Sequence, residues 1–174
     1  HRLVRDLFSL CLLDEAADYG EASDDNITFS RWCNGARPVP VDILSSFEGW
    51  NESFLAVARK KHIHFSFDKL ADTDYHTLAD VEKLERIYFN LLSNAFKFTP
   101  ENGKVTVRLS PLTKEDGRWI RFTVANTGSM ISVEHIRNIF DRFYRIDMHH
   151  AGSGIGLALV KAFVELHKGT ISVE

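Results

Sequence analysis

The sequence contains very little cysteine: Cys11 and Cys33 are the only two among 174 residues, and they form no Cys-x-x-Cys pair. A disulfide scaffold is excluded and a zinc ribbon is disfavoured, because both need several cysteines at characteristic spacings. Long apolar runs are also missing. The richest stretch, Ile155 to Leu166, is interrupted by Lys161 and Glu165, so no segment has the roughly 18 apolar residues of a membrane-spanning helix. These features are typical of a protein from a reducing compartment.

An excess of basic residues is absent as well. The formal net charge is −3 and the calculated isoelectric point is about 6.3, which argues against nucleic acid or an anionic membrane as the main partner. What the chain does have is apolar material, at 44% of its residues with 13 Phe. One ordinary globular domain with a sizeable core is expected.

The first 25 residues differ in pattern from the rest. Leu3, Leu7, Leu10 and Leu13 recur about one helical turn apart, which predicts a helix over residues 1–15 with a single apolar stripe. The polar, acidic stretch at 19–26 reads as a linker. We therefore expect a helix and linker over 1–25 and a separate domain over 26–174. The amphipathic start and strand-like end favour a piece of a longer protein.

Helical and strand-like segments mix in the larger part. Helices are predicted after Asp42, from Asp80 to Phe98, and from Ile155 to His167, where apolar residues recur at helical spacing. Alternating patterns predict strands at 63–67 and a hairpin formed by 104–110 and 119–126. The expected fold class is α+β: a two-layer α/β sandwich with helices packed on one face of a mixed β-sheet.

Polar residues line one stripe of the predicted helix 80–98. The stripe contains two amides and three cations: Lys83, Arg86, Asn90, Asn94 and Lys97. Amide oxygens are ligands that Mg²⁺ accepts, and a neighbouring lysine suits the phosphates that such an ion carries. A solvated polar face is the alternative, since most amphipathic helices have one.

Two further segments suggest a ligand. Asn126 shares the parity of the apolar residues in its predicted strand, so its amide points to the buried side. Gly152, Gly154 and Gly156 precede and begin a helix, where bare backbone N–H groups can approach a polyphosphate. Taken singly, the first segment is also compatible with an ordinary turn, and the second with a flexible loop or close helix packing.

The order of these segments resembles histidine-kinase catalytic domains. LERIYFNLLSNAFKFTP resembles the N box, VANTGSMI the G1 box, IFDRFYR the F box, and GSGIGLALVKAFVELHKGTISVE the G2 box. The resemblance covers about residues 38–174, and the helix at 1–15 resembles the end of the dimerisation hairpin that precedes such domains. It implies the fold shared with heat-shock chaperone and mismatch-repair ATPases, with ATP and Mg²⁺ as cofactors.

The resemblance also implies roles for individual residues. Asn94 would be the main Mg²⁺ ligand, Asn90 would support metal and phosphates, and Lys97 would reach the phosphates. Phe98 would pack on the nucleotide and Asn126 would face adenine, while Phe140 and Phe143 would anchor a lid. The other implied nucleotide-site residues are Gly128, Met130, Ile131, Arg142, Arg145, Gly152, Ser153, Gly154, Ile155, Gly156 and Leu157.

The sequence departs from the family pattern in the G1 box, which usually reads Asp-x-Gly-x-Gly. Here Asn126 stands at the first position and Met130 at the second glycine. None of the eight His residues has the context of a phosphoacceptor, so we expect phosphoryl transfer to a His on a separate hairpin. The resemblance further implies a cytoplasmic module, a response-regulator receiver partner and a membrane-bound, homodimeric parent, with no nucleic acid bound. A degenerate interaction module and a conformational ATPase of the same superfamily are the alternatives.

Overall fold

The computed structural model describes residues 6–13, 35–128, 130–146 and 152–174, the first of these by its backbone alone. Seven strands and four helices lie in these ranges. The strands are β1 (Asp6–Leu13), β2 (Val39–Asp42), β3 (His64–Lys69), β4 (His76–Ala79), β5 (Lys104–Lys114), β6 (Gly117–Asn126) and β7 (Thr170–Val173). The helices are α1 (Ile43–Lys60), α2 (Val81–Phe98), α3 (Val133–Ile136) and α4 (Gly156–Leu166).

The larger sheet has the order β3-β5-β6-β1-β7 and is mixed, because β3 pairs with β5 in parallel and the other neighbours are antiparallel. Strands β2 and β4 form a separate antiparallel pair. In the β5–β6 hairpin, Val107 lies opposite Val124, and both are fully buried. Arg108 and Arg121, on the alternate positions, are exposed. One face of the hairpin is therefore covered, as the alternation predicts.

Helices α1 and α2 cover that face. The Phe47 ring of α1 meets Phe122 of β6 edge-on, with centroids 5.0 Å apart, and Tyr88 of α2 lies 6.1 Å from the same ring. Packed aromatic residues of this kind bury large apolar areas and dominate core stability. The two-layer sandwich with a mixed sheet is thus confirmed.

Local signals place the helix starts. Asp42 and Asp80 each accept a hydrogen bond from a backbone N–H of the first turn, at 3.1 Å in both cases. Such N-caps satisfy donors that a helix leaves unpaired, typically stabilising it by about 1 kcal/mol. The predicted helix 80–98 is therefore present, and its core face is buried along its whole length: Leu84, Ile87, Leu91 and Ala95.

The helix predicted over residues 1–15 is wrong for residues 6–13, which form β1 between β6 and β7. The leucine spacing fits a helix, but LFSLCLL is also a nearly continuous apolar run, and periodicity cannot distinguish a short helix from an interior strand in such a run. Pairing on both edges supplies partners for the backbone N–H and C=O groups. The boundary predicted near residue 25 lies outside the described residues.

Candidate functional site

The polar stripe of α2 lies beside the start of α4. Asn90 and Asn94 are half-buried one turn apart on this stripe. A Cβ atom added at Gly156 would stand 2.6 Å from Oδ1 of Asn90, closer than real side chains allow. The Asn90 amide also donates from Nδ2 to the Arg86 carbonyl at 2.7 Å. A larger residue at the start of α4 would therefore displace the Asn90 amide, because the added Cβ and Oδ1 would occupy the same space.

Lys97 lies at the end of α2 and approaches residues 152–156, the glycine loop, which leads into α4. Its Nζ lies 5.2 Å from the centroid of the Phe98 ring and would be 3.6 Å from a Cβ at Gly152. The ring is 46% exposed. A cation is thus held between an aromatic face and a glycine backbone, an arrangement that suits a ligand with both a flat ring and negative charge.

The glycine loop itself is tied to the segment before it. Gly154 has φ +70°, and a Cβ there would stand 2.8 Å from the Phe143 backbone. Its carbonyl accepts a hydrogen bond from the Phe143 N–H at 2.9 Å. The residue preceding α4, Ile155, has an aliphatic side chain that cannot accept from the first-turn N–H groups. Those donors and the helix dipole favour an anion at this end of α4.

The end of β6 contributes two predicted residues. Asn126 is buried at 6% exposure, and its Nδ2 lies 3.4 Å from the Thr127 carbonyl. Gly128 follows with φ +147°, and a Cβ there would stand 2.6 Å from the Phe98 carbonyl. The buried side predicted for Asn126 is confirmed, and the turn after β6 packs against the end of α2.

The remaining predicted residues differ in exposure. Ile131 and Leu157 are half-buried and pack against the core, whereas the Met130 side chain is 70% exposed. Gly152, Ser153 and Arg142 are exposed, and Ile155 and Arg145 are half-buried. The structure thus brings residues of the predicted site together in three pairs: Asn90 with Gly156, Lys97 with Gly152, and Phe98 with Gly128. Met130 takes part in none of these pairs.

A second polar cluster closes the opposite end of the α2–α4 contact. The Asp80 carboxylate accepts from Lys83 Nζ at 3.0 Å and from the Arg37 backbone N–H at 2.8 Å. The Asp80 backbone N–H donates to Nε2 of His167 at 3.0 Å, and the other ring nitrogen contacts the Phe163 carbonyl at 2.7 Å. An accepting Nε2 requires the proton on Nδ1, so His167 is a neutral imidazole of defined tautomer.

The surroundings of this cluster shift both pKa values. Burial would raise the pKa of the Asp80 carboxyl, but the hydrogen bonds from Arg37 and Lys83 outweigh it and lower that pKa. Burial lowers the pKa of His167, because the cationic form would lose its hydration, and the nearby Lys83 acts in the same direction. Asp80 is therefore ionised and His167 uncharged at neutral pH.

Sequence patterns did not indicate three features near the glycine loop. Nδ1 of His135 lies 2.6 Å from the Tyr144 hydroxyl oxygen, joining α3 to the segment before the loop. Phe143 has φ +64°. Its side chain is 70% exposed, so Phe143 is not the lid anchor that the family resemblance implied, although Phe140 does pack against the core. Apolar periodicity carries no signal for contacts between two polar groups.

Within the described ranges, no group of three or more His, Cys, Asp or Glu side chains is placed to hold a metal ion. None of the helices in those ranges combines the length and the hydropathy needed to cross a bilayer. The donor set around the glycine loop is of another type, with amide oxygens, backbone N–H groups and one ammonium. It fits a polyphosphate and the hard cation that accompanies one.

Comparison with protein families agrees with this donor set. The family described as "Histidine kinase-, DNA gyrase B-, and HSP90-like ATPase" matches residues 79–174, more than half of the chain. Among curated proteins, "Sensor histidine kinase TmoS" of Ectopseudomonas mendocina is 41% identical over 137 residues, which cover 75% of this chain and 13% of that protein.

Solved structures extend the comparison. Full-length ShkA in complex with AMPPNP is 31% identical, with a TM-score of 0.65 and coverage of 79% of this chain and 28% of that one. Histidine kinase ThkA in complex with response regulator protein TrrA is 26% identical, with a TM-score of 0.55 and coverage of 63% and 31%. The chain spans a quarter or less of the length of the curated relatives that it matches.

Proposed function

Because the chain belongs to the histidine kinase-, DNA gyrase B- and HSP90-like ATPase family, we propose that it is the ATP-binding catalytic module of a sensor histidine kinase. The observation that carries the proposal is the contact between the polar stripe of α2 and the glycine loop before α4. Asn90 abuts Gly156 and Lys97 approaches Gly152, so amide, ammonium and backbone donors meet at one place.

The roles of the residues follow from their chemistry. The backbone of Gly152, Ser153, Gly154, Gly156 and Leu157 would cradle the triphosphate, with N–H groups donating to its oxygens. Lys97 would neutralise part of its charge. Asn94 and Asn90 would hold Mg²⁺, which offsets phosphate charge when it is bound. Asn126 and Phe98 would contact the base, and Gly128, Met130, Ile131, Ile155, Arg142 and Arg145 would border the nucleotide.

The reaction would move the terminal phosphoryl group of ATP to an imidazole nitrogen of a histidine on the dimerisation hairpin of the parent protein. The P–O bond to the ADP leaving group breaks, a P–N bond forms, and the imidazole loses a proton. Phosphoryl transfer depends mainly on positioning and charge neutralisation. A module that aligns the triphosphate therefore needs no base of its own.

The partners are part of the proposal. A response-regulator receiver domain would accept the phosphoryl group from the hairpin, and the ThkA complex with TrrA supports this assignment. The parent would be a membrane-bound homodimer with this module in the cytoplasm. The curated relatives named as sensor histidine kinases support a signalling role of that kind.

Replacing Asn94 tests the proposed metal and phosphate site. Asn94→Ala should weaken Mg²⁺-dependent ATP binding at least about 10-fold, or about 1.4 kcal/mol, because an oxygen ligand is lost. Calorimetric titration with and without Mg²⁺ measures this effect. Ser93→Ala, an exposed neighbour on the same turn of α2, is the matched control. Equal ATP affinities of the wild type and Asn94→Ala would contradict the assignment.

A transfer assay separates the kinase from its alternatives. Acid-labile radiolabel from ATP should appear on the separately supplied hairpin and not on this chain, slowly, because the two halves lack the effective concentration of a joined protein. Label on His1 of this chain would contradict the proposal. Bound ATP with an unlabelled hairpin would favour the degenerate module or the conformational ATPase.

Asn126 distinguishes this chain from the usual family pattern at the base. An amide can accept from the adenine amino group, or rotate to donate to O6 of guanine, which a carboxylate cannot do. Asn126→Asp should therefore increase the preference for ATP over GTP by about 1 to 3 kcal/mol. Competitive displacement of a bound nucleotide by ATP and by GTP measures the ratio, and an unchanged ratio would refute the role given to Asn126.

A further inference from the structure

The segment before the glycine loop holds an unfavourable backbone conformation. Phe143 has φ +64°, which a bulky L-residue rarely adopts and which persists only where its surroundings impose it. The Phe143 side chain is 70% exposed, so burial of the ring does little to stabilise this conformation. The residues on either side must therefore hold this conformation.

Tyr144 is the neighbour with the contacts to do so. Its ring is half-buried against the core, and its backbone N–H donates to the Asp141 carbonyl at 3.2 Å. Its own carbonyl oxygen would lie 3.0 Å from a Cβ at Gly154. One residue thus joins the core to the glycine loop, and the hydrogen bond from the Phe143 N–H to the Gly154 carbonyl completes the connection.

The outer end of Tyr144 is held by His135. The hydroxyl oxygen lies 2.6 Å from Nδ1 of His135, and the two rings are tilted with centroids 6.1 Å apart. His135 lies on α3, whose first turn is capped by Ser132. Which of the two groups donates depends on the imidazole tautomer, because Nδ1 can accept from the hydroxyl or donate to its oxygen.

We propose that His135 and Tyr144 are positioning residues that hold the glycine loop in the conformation that binds the phosphates. The geometry that assigns this role is a continuous path of contacts from α3 through Tyr144 and the strained Phe143 backbone to Gly154. This proposal rests on the proposed function because its ligand is ATP. The contacts from α3 to Gly154 are already present without a ligand.

Two ligands separate a positioning role from a merely structural one. Tyr144→Phe keeps the ring and removes the hydroxyl, and His135→Ala removes the partner. Each should weaken ATP binding about 3- to 10-fold, the effect of one hydrogen bond. Binding of adenosine, which has no phosphates, should change less than about 2-fold in both variants. A general loss of structure would weaken the binding of ATP and of adenosine to the same extent.

Coupling and rescue complete the test. The double variant should bind ATP no more weakly than either single variant, because both remove the same contact. His135→Asn, whose amide has a polar atom at the same distance from Cβ as Nδ1, should restore much of the affinity. His76→Ala is the matched control, since His76 contacts Asp74 at 2.7 Å in the β2–β4 pair, outside the site. Additive single effects, or equal losses for adenosine and ATP, would overturn the proposal.

A measurement without nucleotide keeps this inference distinct from the proposed function. In the ligand-free chain, Tyr144→Phe and His135→Ala should each accelerate hydrogen exchange in a peptide spanning residues 141–156, where the Phe143 amide is bonded to Gly154. His76→Ala should leave that exchange unchanged. Unchanged exchange in the first two variants would overturn the positioning role. If the two variants exchange faster than the wild-type chain but the wild-type chain binds no ATP, the result supports the positioning role and contradicts the proposed function.

Discussion

The two ends of the α2–α4 contact have opposite character, although the same two helices form both. At one end, Asp80, Lys83 and His167 satisfy one another and are largely buried. At the other end, about 16 Å away along α4, Asn90 and Lys97 each lie beside the backbone of a glycine. The first, or closed, end can stabilise the fold, whereas the second, or open, end presents polar side chains of α2 beside glycine backbone.

This difference shows how one pair of helices can both stabilise the fold and contribute to a ligand site. Buried polar groups are costly unless they are paired, so the closed end must be complete within the chain. At the open end, glycine backbone allows the start of α4 to approach the polar stripe of α2 closely. Changes at the closed end should therefore affect the free energy of unfolding, and changes at the open end the affinity for nucleotide.

The largest expected effect is at the closed end. Asp80→Ala removes the α2 N-cap and leaves Lys83, whose side chain is 14% exposed, without its carboxylate. We expect the free energy of unfolding to fall by about 3 kcal/mol, as for other broken buried pairs. Urea unfolding measures it, and Asp80→Asn, which keeps the capping oxygen, should lose less. A loss below about 1 kcal/mol for Asp80→Ala would show that this end is not a stability element.

The open end should show the reverse pattern. Gly156→Ala places a methyl group against Oδ1 of Asn90, so the amide must shift, and we expect about 10-fold weaker ATP binding with little change in unfolding. Gly49→Ala is the matched control, because a Cβ at Gly49 of α1 meets nothing within 4 Å. It should stabilise the chain by about 0.5–1 kcal/mol and leave ATP affinity unchanged. Similar ATP affinities for both glycine variants would remove the distinction between the two ends.

The smallest expected effect concerns pH at the closed end. Burial lowers the pKa of His167 below its ordinary value of 6.5, so the unfolded chain takes up a proton that the folded chain does not. The contribution of His167 to the free energy of unfolding should be fully present above about pH 6.5. It should fall as the pH decreases below that value, by at most about 1.4 kcal/mol per pH unit. The window lies above the range in which Asp80, with its lowered pKa, is protonated.

Chemical unfolding at a series of pH values between about 5 and 7.5 measures this dependence. His167→Gln, which can still accept from the Asp80 N–H but does not titrate, should flatten it. Hydrogen bonding to Asp74 raises the pKa of His76, which acts in the opposite direction, so the comparison is made in a His76→Ala background. An identical pH slope with and without His167 would contradict the role of burial.

Much of the fold could be predicted from local patterns. The polar stripe and the apolar face of α2 follow from a 3.6-residue period, and the β5–β6 hairpin from a two-residue period, because each pattern lies within one element. The α2 stripe and the glycine loop, each predicted to bind a ligand, also lie in contact, through Asn90 and Gly156. The role of Asn94 and the metal stays a prediction.

Other features could not be predicted in this way. The run at 6–13 fits either a helix or an interior strand, and its pairing with β6 and β7, more than 100 residues away, decides for a strand. His167 and Asp80 are 87 residues apart. The sequence around His167 or Asp80 contains no local pattern that predicts this contact. The family resemblance implied that Phe143 anchors a lid, but its side chain is 70% exposed.

The sequence by itself determined the three long helices, the β5–β6 hairpin, the family and the residue types offered to a ligand, because periodicity and motif spacing act over a few residues. Only the tertiary structure decided which polar groups form buried hydrogen-bonded pairs and which lie beside the glycine loop. That choice depends on contacts between distant segments, such as His167 with Asp80 and Gly154 with Phe143. Their cost or benefit is set by burial, which exists only once the chain has folded.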